Sequence, residues 1–88
     1  MHDIILLRMK HNDIKYNRIK EVLCEKGVKQ IWLAELLGKT FRQVNLYASN
    51  TSQPSIPVLY DIARILDVAP NDLLRSNEEV ILFNQKNM

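Results

Sequence analysis

The chain has 88 residues, a formal net charge of +2 at pH 7 and one cysteine, Cys24. This length allows one compact core rather than two, and a single cysteine excludes a framework of internal disulfides. No apolar run approaches the roughly 18 residues that a membrane span needs, and the N-terminal residues lack the pattern of a signal peptide. We therefore expect one small cytoplasmic domain, with Cys24 as a reduced core or boundary residue.

The charges are distributed unevenly along the chain. Residues 1–42 carry nine Lys/Arg and five Asp/Glu, whereas residues 43–88 carry three and five. The first half is therefore basic and the second half is acidic. This polarity is typical of a domain whose N-terminal helices face a polyanion.

Two short helices are predicted in the basic half. The first begins behind Asn17, a good N-cap, and ends at Gly27, which can adopt the left-handed conformation. The second runs from about Gln30 to Leu37, and Gly38 ends it. Their apolar stripes consist of Ile19, Val22, Leu23, Leu33, Ala34 and Leu37.

A third helix is predicted to start at Phe41, because Thr40 and Gln43 have the spacing of a capping box. Its apolar stripe consists of Val44, Tyr47 and Ala48. The residues on its other faces are Arg42, Asn45, Leu46 and Ser49. We expect those faces to be exposed.

The acidic half predicts two further helices. Ser55 can cap the fourth helix, with Pro57 in its first turn, where a missing amide hydrogen costs little. Its buried stripe is predicted as Leu59, Ile62, Ala63 and Leu66. Pro70 opens a short fifth helix, and we expect its Leu73 and Leu74 to close the core.

Two short apolar runs, residues 4–7 and 80–83, lie outside these helices. Each can form a strand, a helical extension or a disordered tail. If they are ordered they need an apolar partner, which is either the domain itself or a second subunit.

One pattern extends across the predicted helices. It consists of Gln30, Leu33, Ala34, Gly38, Val44, Tyr47, Pro54, Ile62, Ala63, Val68, Leu73 and Leu74. In this order the residues resemble the phage lambda repressor and Cro-like family of helix-turn-helix proteins, also called XRE-type regulators. The resemblance implies an all-α fold, a five-helix lambda-repressor-like DNA-binding domain at residues 16–76, with a short N-terminal extension (1–15) and a C-terminal tail (77–88).

The chain departs from the family pattern near the end of the third helix. Asn50 occupies the place of the family's glycine, and asparagine tolerates the left-handed conformation better than most residues. Ala48 follows Tyr47, where the family often has an acidic residue. A helix-ending contact or salt bridge of the relatives is therefore expected to be missing, which affects the fine geometry and not the fold.

The resemblance makes the third helix the recognition helix, whose N-terminal residues reach base edges in a major groove about 12 Å wide. The predicted base contacts are Phe41, Arg42, Asn45 and Leu46. Arg42 can donate two hydrogen bonds to guanine, Asn45 can pair with adenine or bond a phosphate, and the apolar side chains can touch thymine methyl groups. The alternatives are that Phe41 folds into the core, that Leu46 is ordinary surface, and that Arg42 touches only phosphate.

Phosphate contacts are expected at the start of the second helix and around the recognition helix. The residues are Lys29, Gln30, Lys39, Thr40, Ser49 and Thr51. Gln30 resembles the family's glutamine that contacts a phosphate from a helix N-terminus, where free amides and the helix dipole favour an anion. For the lysines, the alternative is ordinary solvated surface.

The sequence therefore favours a sequence-specific transcriptional regulator, a repressor, that binds double-stranded DNA at a symmetric operator as a homodimer. The alternative is a protein-binding module such as an antitoxin or adaptor, whose apolar ends hold a partner such as a toxin. No catalytic residue set or phosphate loop is recognisable, and His2 and His11 lack further ligands, so we expect no enzyme activity, cofactor or metal. Trp32 and Tyr60 are expected to complete a core or a protein interface.

Overall fold

The computed structural model describes residues 14–80. Its elements are α1 (Ile19–Lys26), α2 (Gln30–Leu37), α3 (Phe41–Ala48), α4 (Ile56–Leu66) and a 3-10 helix (Pro70–Leu73). Residues 77–80 are also helical. The described part contains no strand, and none of its helices is long and apolar enough to cross a membrane. The all-α prediction is confirmed. The apolar run 4–7, most of the run 80–83, and His2 and His11 lie outside the described residues, and the domain boundaries stay a prediction.

The predicted helix ends follow from local backbone conformation. Gly27 and Gly38 have φ angles of 68° and 69°, and Asn50 has a φ angle of 62°. These left-handed residues end α1 and α2 and turn the chain after α3, in the conformation that glycine and asparagine tolerate best. Thr40 Oγ1 accepts a hydrogen bond from Gln43 N at 3.0 Å, which is the N-cap bond of the predicted capping box. The predicted boundaries of α2 and α3 are confirmed.

The start of α1 differs by one residue from its prediction. Arg18, not Asn17, is the N-cap, and the Arg18 side chain makes no capping hydrogen bond. Asn17, the residue before this N-cap, nevertheless bonds the first amide of the helix, because its Oδ1 accepts a hydrogen bond from Ile19 N at 3.0 Å. Ser55 caps α4 as predicted, accepting from Val58 N at 3.4 Å.

The core lies where α1, α2, α3, α4 and the 3-10 helix meet. Its buried side chains are Ile19, Val22, Leu23, Leu33, Ala34, Val44, Tyr47, Ala48, Leu59, Ile62, Ala63, Leu66 and Leu73. Every predicted stripe contributes to it, although Leu37 is only half-buried. Ala48 is 4% exposed. Ala48 also borders a surface cleft that is lined by Lys20, Glu21 and Arg75.

Four side chains for which the core was one of the expected locations lie outside it. Cys24 is exposed, as are Trp32, Tyr60 and Leu74, with 41%, 53% and 42% of their surface accessible. For Trp32 and Tyr60 the core alternative is therefore wrong. Leu74 was expected to close the core, but it follows the end of the 3-10 helix in an extended conformation that directs it away.

The two ends of the domain are joined by a short antiparallel contact, which we call the terminal clip (residues 16–18 and 73–75). Arg18 N donates to Leu73 O, and Arg75 N donates to Tyr16 O, both at 2.8 Å. Asn17 and Leu74 form the bridge between these bonds. The clip fixes the segment before α1 against the segment after the 3-10 helix.

A helical turn begins after the clip through a reciprocal capping box. Glu79 N donates to Ser76 Oγ at 3.1 Å, and Ser76 N donates to Glu79 Oε1 at 3.0 Å. The bond from the Ser76 amide is the main cause that lowers the pKa of the Glu79 carboxyl, and the Ser76 hydroxyl and the charges of Arg75 and Arg18 act in the same direction. A serine followed three residues later by a glutamate is a sequence signal of a helix start, although no helix was predicted at this position.

This capping box makes the turn sensitive to acid. Because the pKa of Glu79 is lower in the folded turn than in an unfolded chain, the carboxylate stabilises the turn above the unfolded pKa. That contribution is lost as the pH falls through the folded value. In an NMR titration we expect the Ser76 amide resonance to shift with a midpoint below that of an ordinary glutamate. Glu79→Gln should abolish the shift, and a midpoint at the ordinary value would contradict the capping bond.

Candidate nucleic-acid interface

The helices α2 and α3 form a compact unit around the turn at Gly38. Lys39 N donates to Ala34 O at 3.0 Å and Gly38 N donates to Glu35 O at 3.3 Å, which closes the end of α2. Thr40 then starts α3 immediately. With so short a connection the two helices pack against each other, and Leu33 and Ala34 are the buried side chains of α2.

The predicted base-reading residues lie on the outer side of α3. Arg42 and Asn45 are exposed, and Leu46 is half-buried. Phe41 is 47% exposed, so the alternative that it folds into the core is wrong. The first turn of α3 thus presents an aromatic ring and a guanidinium group to solvent. Whether these side chains touch bases stays a prediction.

One contact joins the start of α2 to the middle of α3. Asn45 Nδ2 donates to Gln30 Oε1 at 3.1 Å. Phosphate oxygens only accept hydrogen bonds, so a Gln30 amide that accepts through Oε1 keeps the donors of its Nε2 for an anion. Asn45 keeps its Oδ1 for an incoming donor. Both residues were predicted at the interface, but no sequence pattern predicts the hydrogen bond between them.

The remaining predicted phosphate ligands surround the same face. Lys29, Thr40, Ser49 and Thr51 are exposed, and Lys39 is half-buried. Beyond α3, the hydroxyl oxygens of Ser49 and Thr51 lie 2.8 Å apart and share one hydrogen bond. Ser49 Oγ also donates to Leu46 O at 3.2 Å. This places two hydroxyl groups side by side at the C-terminal end of α3.

Three of the four arginines in the described part of the chain form ion pairs. Arg18 lies 3.3 Å from Glu25, while Arg64 and Arg75 form ion pairs with Asp61 and Glu21. Within residues 14–80, no salt bridge involves the cations of the helix-turn-helix unit, namely Lys29, Lys39 and Arg42. Within the described residues, Lys20 and Lys26 of α1 are likewise outside these ion pairs, so the uncompensated positive charge lies on α1 and on the helix-turn-helix unit, and it favours an anionic partner.

Two buried asparagines behind α3 were not anticipated as a group. Asn17 is 1% exposed and Asn50 is 4% exposed, and Asn17 N donates to Asn50 Oδ1 at 2.9 Å. No local pattern connects residues 33 positions apart. Each residue has a separate sequence signal: Asn17 was predicted as an N-cap and Asn50 as a residue in the left-handed conformation.

Comparisons with known proteins agree with this geometry. The family model described as Helix-turn-helix (HTH_3) matches residues 19–73. A crystal structure described as that of a "putative DNA-binding protein" from Bacteroides fragilis is 43% identical, with a TM-score of 0.67. The match covers 68% of this chain and 97% of that one. No curated protein sequence matches the chain.

Proposed function

The chain belongs to the XRE-type helix-turn-helix family HTH_3, and from this membership we propose a sequence-specific transcriptional repressor that binds a symmetric DNA operator as a homodimer. The family makes it a DNA-binding regulator of the helix-turn-helix class. Repression, the symmetric operator and the dimer are the proposed part. A regulator of this kind acts where the chromosome is, so we also propose a cytoplasmic location.

The observation that carries the proposal is the position of Arg42. It is exposed in the first turn of α3 and, among the described residues, takes part in no ion pair, whereas Arg18, Arg64 and Arg75 are all paired. A free guanidinium at the N-terminal end of a recognition helix suits the two acceptors of guanine. We therefore assign base contact to Phe41, Arg42, Asn45 and Leu46.

Phosphate contact is assigned to Lys29, Gln30, Lys39, Thr40, Ser49 and Thr51. They lie at both ends of the recognition helix and at the start of α2, which is the arrangement that fixes register on a duplex. A single module of this size buries a small interface on DNA. Two modules on half-sites one helical turn apart gain both affinity and specificity, which supports a dimer.

Gln30→Ala tests the phosphate contact at the start of α2. We expect a loss of about 1 kcal/mol in binding free energy, of similar size on preferred and random duplexes, because a phosphate carries no sequence information. Duplex titrations by fluorescence anisotropy measure this, with the thermal unfolding midpoint as a check of the fold. A loss confined to the preferred duplex would instead assign the Gln30 and Asn45 pair to base readout.

The proposed function is tested by selecting bound duplexes from a random DNA library with the purified protein, at two salt concentrations. Enrichment of an inverted repeat is expected, with half-sites centred about one helical turn apart, roughly 34–36 Å. Salt-sensitive binding without an enriched motif would reject sequence specificity. An enriched single half-site without a repeat would reject the dimer.

One observation favours a second candidate, a protein-binding module such as an antitoxin. On α2, Ile31, Trp32 and Leu36 are 53%, 41% and 55% exposed, which is a large apolar surface for an eight-residue helix. Apolar surface of this kind is found at protein interfaces. Absence of binding to any duplex at low salt would move this candidate, with a partner such as a toxin, to first place.

A further inference from the structure

Asn17 and Asn50 are joined by a closed set of hydrogen bonds. Asn17 N donates to Asn50 Oδ1 at 2.9 Å, and Asn50 Nδ2 donates back to Asn17 O at 3.1 Å. The Asn17 side chain adds a bond from Nδ2 to Tyr47 O at 2.9 Å. Every polar side-chain atom of this buried pair therefore has a partner, as a low-polarity environment requires.

Gln53 closes the set from the solvent side. Its Nε2 donates to Asn50 Oδ1 at 3.0 Å, and its Oε1 accepts from Asn17 Nδ2 at 2.7 Å. Gln53 therefore contacts both asparagines at once. We call Asn17, Asn50 and Gln53 the amide network.

The amide network lies directly behind the end of the recognition helix. Tyr47 O, which accepts from Asn17, is one of the last carbonyls of α3. Asn50 turns the chain with its positive φ, and the amides of Thr51 and Ser52 both donate to Leu46 O, at 3.0 and 3.1 Å. Hydrogen bonds to the domain interior therefore restrain residues 49–53. The paired hydroxyls of Ser49 and Thr51 lie on the solvent side of this segment.

We propose that Asn17, Asn50 and Gln53 are positioning residues of the DNA interface, which hold residues 49–53 so that the Ser49 and Thr51 hydroxyls can both donate to one phosphate once their hydrogens rotate away from Leu46 O and from each other. This inference rests on the proposed function. The network consists of neutral amides, so the presentation of the two hydroxyls does not depend on a titrating group. It also links the terminal clip, which contains Asn17, to the end of the recognition helix.

Gln53→Met is the sharpest test, because it keeps the length of the side chain, removes both of its hydrogen bonds and leaves the buried asparagines in place. We expect amide hydrogen exchange to accelerate roughly tenfold in residues 49–53 and to stay unchanged in α1 and α2. DNA affinity should fall roughly 3- to 10-fold, equally on preferred and random duplexes, while circular dichroism shows the variant still folded at the temperature of the binding assay. Ser52→Ala is the matched control, because the Ser52 side chain makes none of the network's bonds, and it should behave as wild type.

The outcomes separate this inference from the proposed function. If the wild-type protein binds no duplex, the proposed function fails and this assignment fails with it. If the wild type binds and Gln53→Met binds equally well, the positioning role alone is overturned. Faster exchange in residues 49–53 without a loss of affinity would also overturn the positioning role, because the network would then only stabilise the fold.

Discussion

Asn17→Ala is expected to lower the free energy of unfolding by about 3 kcal/mol, because it removes three side-chain hydrogen bonds of about 1 kcal/mol each. The bonds run to Tyr47 O, Gln53 Oε1 and Ile19 N, and the site is 1% exposed, so water does not readily replace them. Small domains have a total stability of about 5–15 kcal/mol, so this is a large fraction. Urea unfolding followed by circular dichroism measures the change.

Two companion variants separate hydrogen bonding from side-chain volume. Asn17→Asp keeps the shape but replaces the donating amide by a carboxylate facing Tyr47 O and Gln53 Oε1, so it should destabilise at least as much. Asn71→Ala makes the same truncation at an exposed residue of the 3-10 helix and should change stability by no more than about 0.5 kcal/mol. If Asn17→Ala were as mild as Asn71→Ala, the network would not be a source of stability.

Arg42→Ala is expected to weaken binding to the preferred duplex by about 1–3 kcal/mol and to relax selectivity at one base pair. Its guanidinium is exposed at the start of α3 and has no ion-pair partner in the described part of the chain, so the substitution leaves no buried group behind. The fold should therefore be unaffected. Competition binding with duplexes that differ at single positions measures both effects.

A comparison with Lys39→Ala distinguishes base readout from electrostatic attraction to the DNA backbone. Lys39→Ala should weaken all duplexes similarly and reduce the salt dependence of binding by about one unit of slope. Arg64→Ala removes a guanidinium from α4 that already pairs with Asp61, so it should leave affinity nearly unchanged. An equal loss on preferred and random duplexes for Arg42→Ala would assign that arginine to phosphate instead of base.

The candidate interface was only partly accessible from the sequence. Periodicity placed Arg42 and Asn45 on the outer side of α3, and both are exposed. The hydrogen bond between Asn45 and Gln30 was not foreseen, since it depends on the angle at which α2 and α3 cross. Cys24, which was expected as a core or boundary residue, is exposed.

The sequence by itself determined the four α-helices and most of their ends. Gly27, Gly38, Thr40 and Ser55 act within four residues of their own positions, through a backbone angle or a capping bond, so the order of residues is enough to specify them. The tertiary structure alone decided the pairing of Asn17 with Asn50, the bonds of the terminal clip and the exposure of Leu74. These features depend on which distant segments come into contact when the core forms, and a local sequence pattern does not specify such contacts.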